Sequence, residues 1–144
     1  PRATEEEGTA YAAIAVQDAC ISSSGDYEHS YIQDGVLYCH MIDPETGWPM
    51  NTPAEDGVQS GLSTVTLIGG TAAYNDAMTT ALCIMGTERA EAYCEERLKE
   101  YQRMFVTYEA GSEQYGVWTN IPEEQYWIQD PAYIPQKQAD STDT

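Results

Sequence analysis

Positive charge is what this sequence has least of: six Lys and Arg stand against 24 Asp and Glu, a formal net charge of −18 over 144 residues. So few cations cannot assemble a basic footprint, which excludes nucleic acid as a partner by electrostatics. An anionic membrane surface repels the chain for the same reason. Long apolar runs are missing too. Stretches such as 14–16 and 67–68 fall far short of the ~20 residues that a bilayer span requires. The four cysteines, Cys20, Cys39, Cys83 and Cys94, show no CxxC spacing and no zinc-finger pairing with the two histidines. They read as buried free thiols, although an oxidising compartment would permit a Cys20–Cys39 bridge. Phe occurs once, against eleven Tyr and three Trp. Neither a GxGxxG fingerprint nor a Walker loop is present, so neither phosphate-cradling device can be claimed.

What is present reads as a single α+β domain. Residues 1–9 form a solvated lead-in, 10–134 the domain and 135–144 a polar, frayed tail. Residues 11–17 and 19–23 read as strands. Residues 30–32 and 36–42 form a hairpin about Asp34-Gly35, and a long punctuated loop follows to Gly61. Residues 62–68 alternate and are β-branched, a strong strand. Thr71 is placed to cap a helix to Met85 with Ala73, Ala77, Ala81 and Ile84 inward, and Gly86 ends it. Thr87 is expected to cap a second helix, with Ala90, Tyr93, Cys94, Leu98 and Tyr101 buried. Its glutamates, Glu88, Glu91, Glu95, Glu96 and Glu100, then form a solvated face. Three short strands, 104–108, 115–119 and 126–129, complete the order. Hairpins without βαβ alternation predict mostly antiparallel strands with two adjacent helices.

Several residues could carry chemistry. Asp76 and Thr80 stand one helical turn apart and project from one face. Both offer hard oxygen atoms of the kind Mg²⁺ takes. An exposed Asp near a helix start and a Thr bonded back to a carbonyl are the plainer reading. His40, three residues before Asp43, is either a general base or a satisfied structural histidine. Asp43-Pro44-Glu45-Thr46-Gly47 is a turn sequence. Around Ser24, Gly25 and Asp26 lie hydroxyls and a backbone that a ligand can approach closely. A phosphate-bearing ligand on so acidic a chain needs a cation to offset repulsion, which favours the metal reading of Asp76.

Taken in order, the runs SSSGDYE (22–28), Gly35, HMIDPETGWP (40–49), TVTLI (64–68), DAMTTAL (76–82) and Met85-Gly86 resemble the ApbE family, the FAD:protein FMN transferases. That resemblance covers residues 19–86 closely. It implies a Mg²⁺-dependent enzyme that moves FMN from FAD to a Thr or Ser hydroxyl of a partner protein and releases AMP. Some members hydrolyse FAD instead. By position it makes Asp76 and Thr80 metal ligands and His40 the base. It places Ser24, Gly25, Asp26, His40, Asp43 and Thr46 around the flavin and pyrophosphate. It implies an acceptor among subunits of membrane redox complexes, an extracytoplasmic location with any membrane anchor carried by a missing N-terminal part, and a chain that is the C-terminal half of such an enzyme. Completion then comes from the N-terminal half or from a second copy, and an isolated half could bind flavin or a partner without turnover. His29 stands where family members often carry Arg, and Asn75 and Met78 replace the commoner Ala and Leu.

Overall fold

A computed structural model describes residues 10–27, 29–50, 52, 60–109 and 111–136. The lead-in 1–9, most of the loop before Ser60 and the tail from 137 lie outside the described residues. The centre is a five-stranded sheet in the order β2(Ile21–Gly25)-β5(Ser60–Ile68)-β6(Gln102–Glu109)-β7(Tyr115–Thr119)-β9(Tyr133–Pro135). All neighbours are antiparallel except β7 and β9, which run parallel. Sequence patterning missed β9, which begins within the domain and ends on Pro135, a residue expected in the frayed tail. It is held because Gln136 donates its backbone N–H to Val117 O at 2.7 Å. Two smaller ladders pair β1(Ala12–Ile14) with β8(Tyr126–Ile128) and β3(Ser30–Gln33) with β4(Val36–Cys39).

The side-chain alternation of β5 and β6 divides the core into two layers. Val65, Leu67 and Phe105 face the helices α1(Ala72–Met85) and α2(Thr87–Arg97), where Leu82, Cys83, Ala90, Cys94 and Leu98 complete one cluster. Met104, Val106 and Tyr108 face the other way, onto Val117, Ile121 and Tyr133, with Tyr11, Ala12 and Ile14 packed against them. Residues 62–68 are therefore covered on both faces by this chain itself.

Four sequence expectations are corrected here. The buried stripe of α1 is Asn75, Thr79, Leu82 and Cys83, while Ala73 and Ala77 are exposed. The helix lies on the serine-rich strand β2, and there a hydrogen-bonding stripe fits better than an apolar one. Asn75 Nδ2 donates to Gly69 O at 2.8 Å and Cys20 O at 3.2 Å. Thr71 caps α1 as expected, accepting from Tyr74 N–H. Thr87, however, is already inside α2, whose N-cap is Gly86 with no side-chain bond. Finally, Glu91 and Glu95 are not simply solvated. Both accept from the guanidinium of Arg103, a β6 residue only 4% exposed, so the pair ties α2 to the sheet. His40 also falls just past the end of β4, in a bend, not in the strand. All four cysteines are free, three of them buried, and no Cys20–Cys39 bridge exists.

Candidate active site

Strand β2 and helix α1 build the site together. Alternation along β2 turns Ser22 and Ser24 toward α1 and sends Ser23 to the opposite face, where its hydroxyl meets Thr66 at 2.7 Å. On the helix, Asp76, Thr79 and Thr80 follow at i, i+3 and i+4, one continuous face. The two sets meet. Ser22 Oγ donates to Asp76 Oδ1 at 3.2 Å, and Ser24 Oγ lies 2.8 Å from Thr79 Oγ1 and 3.1 Å from Thr80 Oγ1. Thr79 Oγ1 also donates to Asp76 O at 3.0 Å.

A proton count follows from these bonds. Each hydroxyl has one proton and two lone pairs. Thr79 Oγ1 and, at 3.3 Å, Thr80 Oγ1 both donate to Asp76 O, the back-bonding expected of a helical Thr, so the Ser24 proton goes to either the Thr79 or the Thr80 oxygen. In either arrangement the Thr80 oxygen keeps at least one lone pair, and Asp76, exposed, keeps one carboxylate oxygen outside the Ser22 bond. The donor set is therefore hard oxygen throughout and fits Mg²⁺. Among the described residues no group of three or more His, Cys, Asp and Glu could hold a metal. Asp76 is thus the charged donor of this cluster, and further positions on an ion would come from water, hydroxyl or phosphate oxygen. Ser22 and Thr79 were not singled out from sequence, although strand alternation and the i, i+3 spacing pointed at them.

The other expected residues divide into two groups. Gly25 ends β2 opposite Thr64, and the ring of Tyr27 lies against it: a Cβ there would sit 2.8 Å from Tyr27 Cδ1 and 3.2 Å from Ser63 O. Asp26 is fully buried. It donates its N–H to Ser63 O at 3.0 Å, and its carboxylate accepts from Ser63 Oγ at 2.9 Å. Ser63 is the residue skipped by the β5–β6 ladder between Leu62 and Thr64, so Asp26 anchors the end of β2 on a bulge. Beside it, burial first and the charge of Asp26 second push the Cys83 thiol up to about 12, where it is inert.

Asp43 and Thr46 organise the loop after His40. Asp43 Oδ1 accepts from Glu45 N–H at 2.9 Å, Asp43 O from Gly47 N–H at 2.8 Å, and Thr46 Oγ1 from Trp48 N–H at 3.2 Å. Ile42 bridges Pro49, closing the turn. His40 is exposed between two buried anchors, Cys39 and Met41, that pack in the same core cluster as Leu82 and Cys83 of α1. Its ring meets that of His29 edge-on, with centres 5.5 Å apart.

Residues 1–105 match the sequence profile of the ApbE family. An FAD:protein FMN transferase of Vibrio cholerae is 38% identical over 78 residues, 54% of this chain and 21% of that protein. One from Escherichia coli is 35% identical over 88 residues, 61% of this chain and 23% of that protein. Among solved structures, the ApbE protein of Thermotoga maritima superposes with a TM-score of 0.52 at 29% identity, over 65% of this chain and 28% of that one. The flavinyl transferase ApbE of Pseudomonas stutzeri gives 0.53 at 28% identity, over 70% and 28%. The chain thus spans less than a quarter of the length of these two curated relatives.

Proposed function

This chain belongs to the ApbE family, and from that membership we propose that it forms part of a Mg²⁺-dependent FAD:protein FMN transferase. In the proposed reaction a Thr or Ser hydroxyl oxygen of the acceptor protein attacks the phosphorus of the FMN half of FAD. The bond from that phosphorus to the bridging pyrophosphate oxygen breaks, AMP leaves with that oxygen, and FMN remains phosphodiester-linked to the acceptor. His40 takes the hydroxyl proton on an imidazole nitrogen. Asp76 and Thr80 hold Mg²⁺, which when bound withdraws charge from the pyrophosphate oxygens. Ser22 orients the Asp76 carboxylate and Ser24 the Thr80 hydroxyl. The Asp43–Thr46 turn forms a wall against which the substrate is positioned, while Gly25 makes room for the Tyr27 ring and Asp26 fixes the end of β2 from within the core.

One observation carries the reading: the Ser24 run and the Asp76–Thr80 run, 52 residues apart between Ser24 and Asp76, meet through hydroxyl and carboxylate contacts of 2.8–3.2 Å. The share of the relatives' length that this chain covers, 21% and 23%, favours a second reading, in which it binds flavin without turning it over alone.

A thermal melt with Mg²⁺, FAD and both, beside Asp76→Ala, tests the site. The midpoint is expected to rise only with both ligands. At a hundredfold excess over Kd the stabilisation is about 2.7 kcal/mol. Asp76→Ala, an exposed change worth within about 0.5 kcal/mol unliganded, should lose the rise. An unshifted parent chain with both ligands present would overturn the proposal. AMP release in the presence of an acceptor then separates turnover from binding.

A further inference from the structure

His29 and His40 flank the ends of the β3–β4 hairpin. The ladder pairs Ser30 with Cys39, so the next residue outward on each strand brings the two histidines face to face across the hairpin. Both side chains are exposed, and neither ring has a hydrogen-bond partner among the described residues. The rings stand 5.5 Å apart between centres, with planes at 88°.

That separation is close to the spacing of a chelate. A zinc ion about 2.0–2.1 Å from one nitrogen of each imidazole lies about 3.2 Å from each ring centre, and at a tetrahedral angle the centres are then about 5.2 Å apart. The observed pair is edge-to-face, so chelation requires each exposed ring to turn about its own Cβ–Cγ bond until one nitrogen of each faces a shared point. Imidazole suits Zn²⁺, Ni²⁺ and Cu²⁺ and is a poor ligand for Mg²⁺. The pair therefore differs in kind from the all-oxygen cluster at Asp76. A net charge of −18 further raises the local concentration of cations.

We infer that His29 and His40 form a two-imidazole site for a borderline divalent metal ion of the zinc type, open to water at its remaining positions. The site stands without the transferase reading. Its consequence rests on that reading: a metal on His40 occupies the lone pair that the base needs, so zinc would inhibit turnover by competing for that nitrogen.

Isothermal titration of ZnCl₂ into the reduced full chain is the test, with His29→Ala, His40→Ala and Cys20→Ser alongside and MgCl₂ as the control ion. One Zn²⁺ per chain is expected, with affinity falling at least about tenfold in either histidine variant as one of two protein–metal bonds is lost. Cys20→Ser should bind as the parent does, and Mg²⁺ should produce no heat that depends on His29. Unchanged zinc affinity in His29→Ala overturns the site, as does binding lost in Cys20→Ser but kept in both histidine variants. Calorimetry reads the metal directly, so failure of flavin transfer leaves this result standing. Where AMP release is measurable, zinc should suppress it and a chelator restore it.

Discussion

Neutralising the two glutamates that face Arg103 should unfold this domain far more readily than neutralising either one. Arg103 is 4% exposed on β6, whereas Glu91 and Glu95 on α2 are 36% and 63% exposed. Burial opposes the charge on Arg103, but its hydrogen bonds to Glu91 and Glu95 outweigh that penalty and hold its pKa above the ordinary guanidinium value. The exposed partner is screened, so Glu95→Gln should cost about 0.5 kcal/mol, and Glu91→Gln, bonded at 3.0 Å, about 1 kcal/mol. Together they leave a buried cation with no counter-charge, a situation that costs about 3 kcal/mol or more. The double variant should thus exceed the sum of the singles by at least about 1 kcal/mol. Urea unfolding followed by tryptophan fluorescence gives the three differences, and a melt should show the double variant about 10 °C lower. Strict additivity, or a double loss below about 1 kcal/mol, would refute the claim that Arg103 is held charged by α2.

Three more predictions follow from the same contacts. Burial, the leading cause in both, pushes Cys83 up to about 12 and Cys94 up to about 11. Unfolded thiols ionise from about pH 9 while these stay protonated, so stability is intact below that pH. It should then fall by about 1.4 kcal/mol per pH unit for each thiol as pH climbs toward the folded values. Urea midpoints at neutral and alkaline pH check this, and Cys83→Ala should flatten the slope. Thiol titration of the native chain should find Cys20, half-buried, reacting ahead of the buried Cys39, Cys83 and Cys94, with all four reacting in denaturant. A Cβ at Gly70 would collide with the Tyr101 ring and hydroxyl, whereas one at Gly86 meets nothing. Both have positive φ, so Gly86→Ala should cost about 1 kcal/mol and Gly70→Ala about 1–3 kcal/mol more. Equal midpoints for the two variants would contradict the packing of Tyr101 over the start of α1.

Local chemistry was enough to read most elements from sequence. The β-branched run at 62–68 became β5, Thr71 and Gly86 bounded α1, and the Asp34-Gly35 turn closed the β3–β4 hairpin, because turn, cap and strand preferences act within a few residues. That Asp76 and Thr80 share one face of α1 was legible for the same reason, since helical spacing alone sets them one turn apart. The order of elements also made the α+β class legible.

Tertiary structure decided which face each polar residue turned. Asn75 and Thr79 went inward and Ala73 and Ala77 outward because α1 met a strand whose carbonyls and hydroxyls needed partners, an outcome hydropathy cannot anticipate. Arg103 took Glu91 and Glu95 from an apparently solvated face because the alternation of β6 pointed its guanidinium at α2. Asp26 was drawn into the core by a bulge at Ser63, and β9 joined β7 in parallel through the long-range bond of Gln136 to Val117. His29 met His40 only because the hairpin register set them opposite each other. Each of these contacts joins residues of different elements, and apart from the exposed histidine pair its energy comes from desolvated hydrogen bonds and charges whose partners exist only once the sheet and helices have packed.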